Sequence, residues 1–148
     1  MNADAQKPVS DLKQIGIPQK QKEQLREIKE DLDPPWFKSE QDIYKFAVAI
    51  AIAKKMKVKE IKAKDIKNSW RTSDDYEGSS GEGDRLDDRE GSFAQMISLF
   101  YPESNGQPYK HSQYLAVAGI NYLHNRFFDD FMTPQGILEE FFPEEDQE

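Results

Sequence analysis

Residues 39–56 read SEQDIYKFAVAIAIAKKM, and the fold turns on how this stretch is read. Ser39 offers an N-cap hydroxyl, and Asp42 stands three residues on, at the capping-box position. From Phe46 to Ala53 no residue is polar. The alanines at 47, 49, 51 and 53 favour helix, whereas Val48, Ile50 and Ile52 are β-branched and would tolerate a strand. The start signal, the length and the closing Lys54-Lys55, which suit the negative end of a helix, decide for helix. A helix that is apolar all round is buried all round. The run is far too short to span a bilayer. The stretch therefore predicts a central core helix whose alanines let neighbouring helices approach closely.

On its N-terminal side, Leu25, Ile28 and Leu32 form one narrow stripe on a charged helix from Lys20 to Leu32. Pro34-Pro35 stops that helix. Trp36 and Phe37 are expected to pin the corner to the core. Further upstream, Ile15 and Ile17 flank Gly16 in a piece that would suit one short strand, with Pro18 at a helix start. Residues 1–14 read as a polar, disordered tail. On the C-terminal side, residues 54–71 (KKMKVKEIKAKDIKNSWR) hold eight basic and two acidic residues. A short second element is expected from Glu60 to Lys67. Residues 72–91 (TSDDYEGSSGEGDRLDDREG) read as a mobile acidic, Gly-rich linker.

Three helices are expected beyond it. Ser92 and Gln95 have capping-box spacing, and Phe93, Met96, Ile97 and Phe100 make one apolar face. A longer helix runs from Tyr109 to about Arg126, and its Ala118-Gly119 marks a close helix crossing. Thr133-Pro134 opens the last helix as N-cap and first residue, with Ile137, Leu138 and Phe141 inward. Residues 143–148 form an acidic tail. The predicted fold is all-α with at most one short N-terminal strand. It is a single domain over 15–142, a compact bundle of about five helices around 39–56.

The 148 residues suit one domain with a real core. The chain has no cysteine, which removes disulfides and thiolate metal sites and fits a reducing cytoplasm. MNADAQKPVSDLKQ has no apolar secretory core, and no stretch is read as spanning a membrane. Cytoplasmic localisation is the expectation. The net charge of −8 is unevenly placed. Residues 1–72 carry 16 Lys+Arg and 11 Asp+Glu, net +5, and residues 73–148 carry 4 and 17, net −13. The plain reading of this asymmetry is that the two halves attract each other or that each is simply solvated.

Catalytic patterns are missing from the sequence. His111 and His124 are thirteen positions apart on one helix, which puts them on roughly opposite faces. There is no HExxH and no GxSxG. Asp129-Asp130 and Glu139-Glu140 are adjacent carboxylates with no nameable partner. Neither Asp74 nor Asp75 opens an EF-hand register, and GSSGEG lacks the lysine of a phosphate loop. No cofactor is expected. The remaining candidate contacts are Lys54, Lys55, Lys57, Lys59, Lys62, Lys64, Lys67, Trp70 and Arg71. They would meet an acidic protein, or nucleic acid through phosphate pairing and base stacking on Trp70.

Three stretches, FKSEQDIYKFAVAIAIAKKMKV, DDREGSFAQMISLFYPE and YLAVAGINYLHNRF, resemble in order and spacing the small accessory proteins encoded beside DNA phosphorothioation (Dnd-type) systems. In that family an acid–aromatic–Ala-rich helix follows a short charged one, and a Gly-containing helix crosses closely near the end. The resemblance covers about residues 15–142, on core positions. It implies a cytoplasmic role linked to DNA modification or antiviral defence and supplies no catalytic residues; with the missing catalytic pattern and the charge asymmetry, the expectation is a non-enzymatic accessory protein that works by contact with a protein partner. The start of the chain also resembles a ribbon-helix-helix regulator: DLKQIGI as the strand, with Lys13 and Gln14 as base-reading candidates, then helices 20–32 and 39–56. The acidic second half would oppose that use.

Overall fold

Ser39 does cap the decisive helix. Its hydroxyl accepts the Asp42 amide N–H at 3.1 Å, and α2 runs Glu40–Ala53. The helix ends in a Schellman motif: Lys55 N–H donates to Ile52 C=O, Met56 N–H donates to Ala51 C=O, and Lys55 adopts φ 53°. The computed structural model of the chain describes residues 11–72, 85–88, 91–104 and 106–141. Among them are five α-helices and one two-stranded antiparallel sheet. The elements are β1 (Gln14–Ile17), α1 (Gln19–Asp31), α2, β2 (Lys67–Arg71), α3 (Ser92–Phe100), α4 (Pro108–Phe128) and α5 (Pro134–Phe141).

The chain divides into two units, each made of two separated segments. The second unit comprises Gln19–Val58 and Leu115–Glu148. Here α2 buries Ile43, Tyr44, Ala47, Val48, Ile50, Ala51 and Ile52. Ala49 and Ala53 are exposed, so burial is not all-round. A strip carrying only methyl groups costs little to leave in water. The predicted crossing at Gly119 is present. A Cβ placed there would lie 2.1 Å from the Ala47 carbonyl oxygen, so only glycine admits α2 to this depth. The stripe on α1 buries Leu25 and Ile28, and beside them Gln21, whose side-chain amide donates to Asn121 Oδ1 at 3.0 Å. Thr133 caps α5 through the Gly136 N–H at 3.0 Å.

Two further expectations in this unit fail. Trp36 is 47% exposed and does not pin the corner, and only Phe37 packs, with its ring 5.6 Å from that of Phe46. Leu138 is exposed while Ile137 is buried.

The first unit comprises Met1–Pro18 and Lys59–Tyr114. The expected short strand exists, and its partner β2 was not foreseen: the element expected over 60–67 is one 3₁₀ turn, Ala63–Asp65, followed by a strand. Gln14 pairs with Arg71, Ile15 with Trp70, Gly16 with Asn68 and Ile17 with Lys67, with a bulge between Ile15 and Gly16. At Gly16 a Cβ would lie 1.8 Å from Lys67 O. Residues 11–14 are part of the fold and not of a tail: Thr72 N–H donates to Lys13 C=O, and Asp11 caps α4 by accepting the Tyr109 and Lys110 amides at 2.7 and 3.1 Å.

Helix α3 is not capped by Ser92, which is its first helical residue. The Asp88 carboxylate reaches over Gly91 and accepts Phe93 N–H at 2.7 Å and Ala94 N–H at 3.0 Å. It also accepts the Tyr109 hydroxyl at 2.7 Å. The linker expected over 72–91 is thus tied down at 85–88, where Leu86 is fully buried and its N–H donates to Arg71 C=O. Residues 73–84 and 89–90 of that linker, with the positions tested for calcium ligation, and the tail 143–148 lie outside the described residues. Phe100 leaves the predicted apolar face of α3 and is 59% exposed.

Candidate functional site

The first unit holds an open groove of about 740 Å³. Four parts of the chain build it. Leu12, Lys13 and Gln14 lead into β1, the segment from Glu60 to Ile66 curves around the 3₁₀ turn, Asn68 comes from β2, and the first two turns of α4 bring Lys110, Gln113 and Tyr114. The sheet edge is closed at this point by Gln113. Its side-chain oxygen accepts the Gly16 amide at 3.0 Å, and the residue is buried. A peptide amide that would otherwise lack a partner fixes the Gln113 rotamer, and with it the wall of the groove.

The lining is mixed. Lys13, Lys62 and Lys110 bring three ammonium groups and Glu60 brings one carboxylate. Leu12, Ile61 and Ile66 are half-buried and supply apolar surface. Burial pushes the Tyr114 phenol above its ordinary value, and the nearby charge of Glu60 adds to the shift. His111, one turn earlier, stacks near Tyr101 at 4.7 Å and meets Tyr114 edge-on at 5.8 Å. Burial lowers its pKa, against a smaller opposing effect of Glu103.

The basic stretch is divided between the units. Lys54, Lys55 and Lys57 belong to the second and Lys59, Lys62, Lys64, Lys67, Trp70 and Arg71 to the first. Lys54 is engaged: its ammonium lies 5.1 Å from the Tyr122 ring centre and 5.4 Å from that of Phe141. Lys55, Lys57, Lys59, Lys62, Lys64 and Lys67 are exposed, and of these Lys62 lines the groove. Trp70 is only 6% exposed, so its ring is core and not a stacking platform for bases. Arg71 is half-buried in β2, where its carbonyl accepts the Leu86 amide. Sequence reasoning missed Lys110, Gln113 and Tyr114, which look like ordinary helix residues until β1 packs beside them. Lys13 and Gln14 were singled out for base reading and instead line the groove.

The strand needed for a ribbon-helix-helix dimer is already in use. β1 pairs with β2 of its own chain, and Gln113 takes the Gly16 amide. Several of the other candidates for chemistry are held in contacts within the second unit. Glu140 accepts from Arg126 and, at 3.4 Å, from the Tyr122 hydroxyl. Asp130 lies 3.7 Å from Arg126, and Glu139 accepts from Gln135 at 3.2 Å. His124 Nε2 is 2.5 Å from Glu27. Among the described residues no three His, Asp or Glu gather as metal ligands, and no helix is long and apolar enough to cross a membrane. The chain matches no known family model, no curated protein and no solved structure.

Proposed function

We propose that this chain is a small cytoplasmic accessory protein, non-enzymatic, that acts by protein–protein contact in a DNA-modification or defence system. The observation that carries the contact reading is at the C-terminal end of α3. Leu99 and Phe100 are consecutive and 76% and 59% exposed, apolar surface that water disfavours and a partner would cover. The exposed lysines at 59, 64 and 67 belong to the same unit and suit an acidic partner. The link to DNA modification rests on the resemblance of the three quoted stretches. The finer architecture, one bundle around α2, belongs to the same proposal.

The test is affinity capture from the native host, read by mass spectrometry, with the wild type and with Leu99→Asp/Phe100→Ser. A DNA-modification or defence protein recovered by the wild type and lost with the variant is the expected result. Capture of no such protein, or capture unchanged by the variant, sinks the proposal. The nucleic-acid alternative keeps only the exposed lysines. Titration of labelled duplex and single-stranded DNA at physiological salt decides it, with about micromolar affinity as the outcome that would displace the adaptor reading.

A further inference from the structure

We infer that the groove of the first unit binds a small organic phosphate of nucleoside-monophosphate size, independently of any protein partner. Three properties point to this class. The volume, about 740 Å³, lies inside the range of small-molecule sites and far exceeds that of a free inorganic anion. The formal charges of Lys13, Lys62, Lys110 and Glu60 leave an excess of two positive, which matches a phosphate monoester of about −1.5 to −2 near neutrality. Beside these charges lie Leu12, Ile61 and Ile66, apolar surface that a phosphate alone leaves wet and a flat ring would cover.

The polar groups divide by role. The lysine ammoniums can only donate, so they serve phosphate oxygens. Glu60 can only accept, so it serves a sugar hydroxyl or an exocyclic amine. The Tyr114 hydroxyl, part of the lining, can donate or accept. Asn68 does both and lies in the same lining. Gln113 is spent on Gly16 and holds the wall in place, which makes it a positioning residue. Gln14 on β1, Asn68 on β2 and Lys110, Gln113 and Tyr114 on α4 anchor one side of the groove on regular elements, and the segment from Glu60 to Ile66 forms the other.

The experiment uses the full chain, isotope-labelled, titrated with AMP and followed by amide NMR. Adenosine and inorganic phosphate are run in parallel, and Lys13→Glu/Lys62→Glu is the charge variant. Both substituted lysines are exposed, and thermal melting verifies that the variant folds. The expected result is saturable shifts at residues 12–14, 60–68 and 110–114. Affinity for AMP should exceed that for adenosine or phosphate at least about tenfold, and the double substitution should lower it at least about tenfold. Any of three results overturns the inference: no shifts at about 5 mM AMP, shifts centred outside these residues, or phosphate alone binding as tightly as AMP. A folded variant that binds AMP unchanged does so as well.

Discussion

Substituting Gly119 by alanine sets two known effects against each other, and the structure says which one wins. Alanine is the better helix former by about 1 kcal/mol. Against this, the added Cβ falls 2.1 Å from Ala47 O, 2.6 Å from Ala47 C and 2.9 Å from Ala47 Cβ. A carbon and a carbonyl oxygen need about 3.3 Å, so α2 and α4 must part locally by about 1 Å. The obstacle is backbone, which has no rotamer to swing aside. Overpacking of this kind costs about 1–3 kcal/mol, and parting the helices also weakens the dispersion contacts around the crossing. The upper end of that range applies, so the net loss is about 2 kcal/mol, or about 4–8 °C in Tm for a chain this long. Thermal and urea unfolding followed by far-UV circular dichroism measure it. Adding Ala47→Gly should recover less than half, because it removes the atom at 2.9 Å and leaves the oxygen at 2.1 Å. A Tm unchanged or raised by Gly119→Ala would refute the close crossing.

Asp88→Ala removes the carboxylate that caps α3 and holds the Tyr109 hydroxyl; the expected loss is about 3 kcal/mol, with faster hydrogen exchange at Phe93 and Ala94 than at the second turn of α3. Unchanged exchange at those two amides would mean that the cap is not made in solution. His111 sets a pH dependence. Its folded pKa lies below the unfolded 6.5 because burial disfavours the cation, so below neutrality the unfolded chain binds the extra proton. The contribution to stability is therefore fully present above 6.5 and is lost as pH falls through the folded pKa. In His111→Phe the stability difference between pH 7.5 and 5.5, measured by urea titration, should be smaller than in the wild type (about two pH values spanning the transition suffice). An equal difference would rule out the histidine as its source.

What was legible in the sequence was what neighbours in the chain dictate. Ser39 and Thr133 announce their helices because a hydroxyl caps within three residues of itself. Gly119 announces the crossing because a glycine inside a helix is costly without a close approach. β2 was not legible: KNSWR shows no run of alternating apolar residues, and only Trp70 is buried. It becomes a strand because β1, fifty positions earlier, offers an edge to it. Asp88 was hidden by a better local signal at Ser92, and the left-handed Gly91 decides in favour of the more distant cap. The candidate site suffered most. Its lysines were visible as charge, but the groove needs residues from 12–14, 60–68 and 110–114 together. Charge clustering also wrongly enlisted Trp70, since the sequence does not tell a core tryptophan from a displayed one.

The division of the chain has a consequence for how the molecule comes into being on the ribosome. Each unit is assembled from one early and one late segment: 1–18 must await 59–114, and 19–58 must await 115–148. Synthesis delivers β1 first, and it stays without a partner until Lys67–Arg71 has emerged. The apolar faces of α1 and α2 are complete early, but the helix that supplies Gly119 arrives some sixty residues later. Loop closure over such spans is slow compared with helix formation. Nascent chains halted near residue 58 thus hold the early segment of each unit and the late segment of neither, a state with exposed apolar surface of the kind chaperones serve. For the same reason the first unit is complete only in a fragment that spans 1–114 and the second only in one that spans 19–148, and a boundary drawn anywhere between 19 and 114 cuts through both.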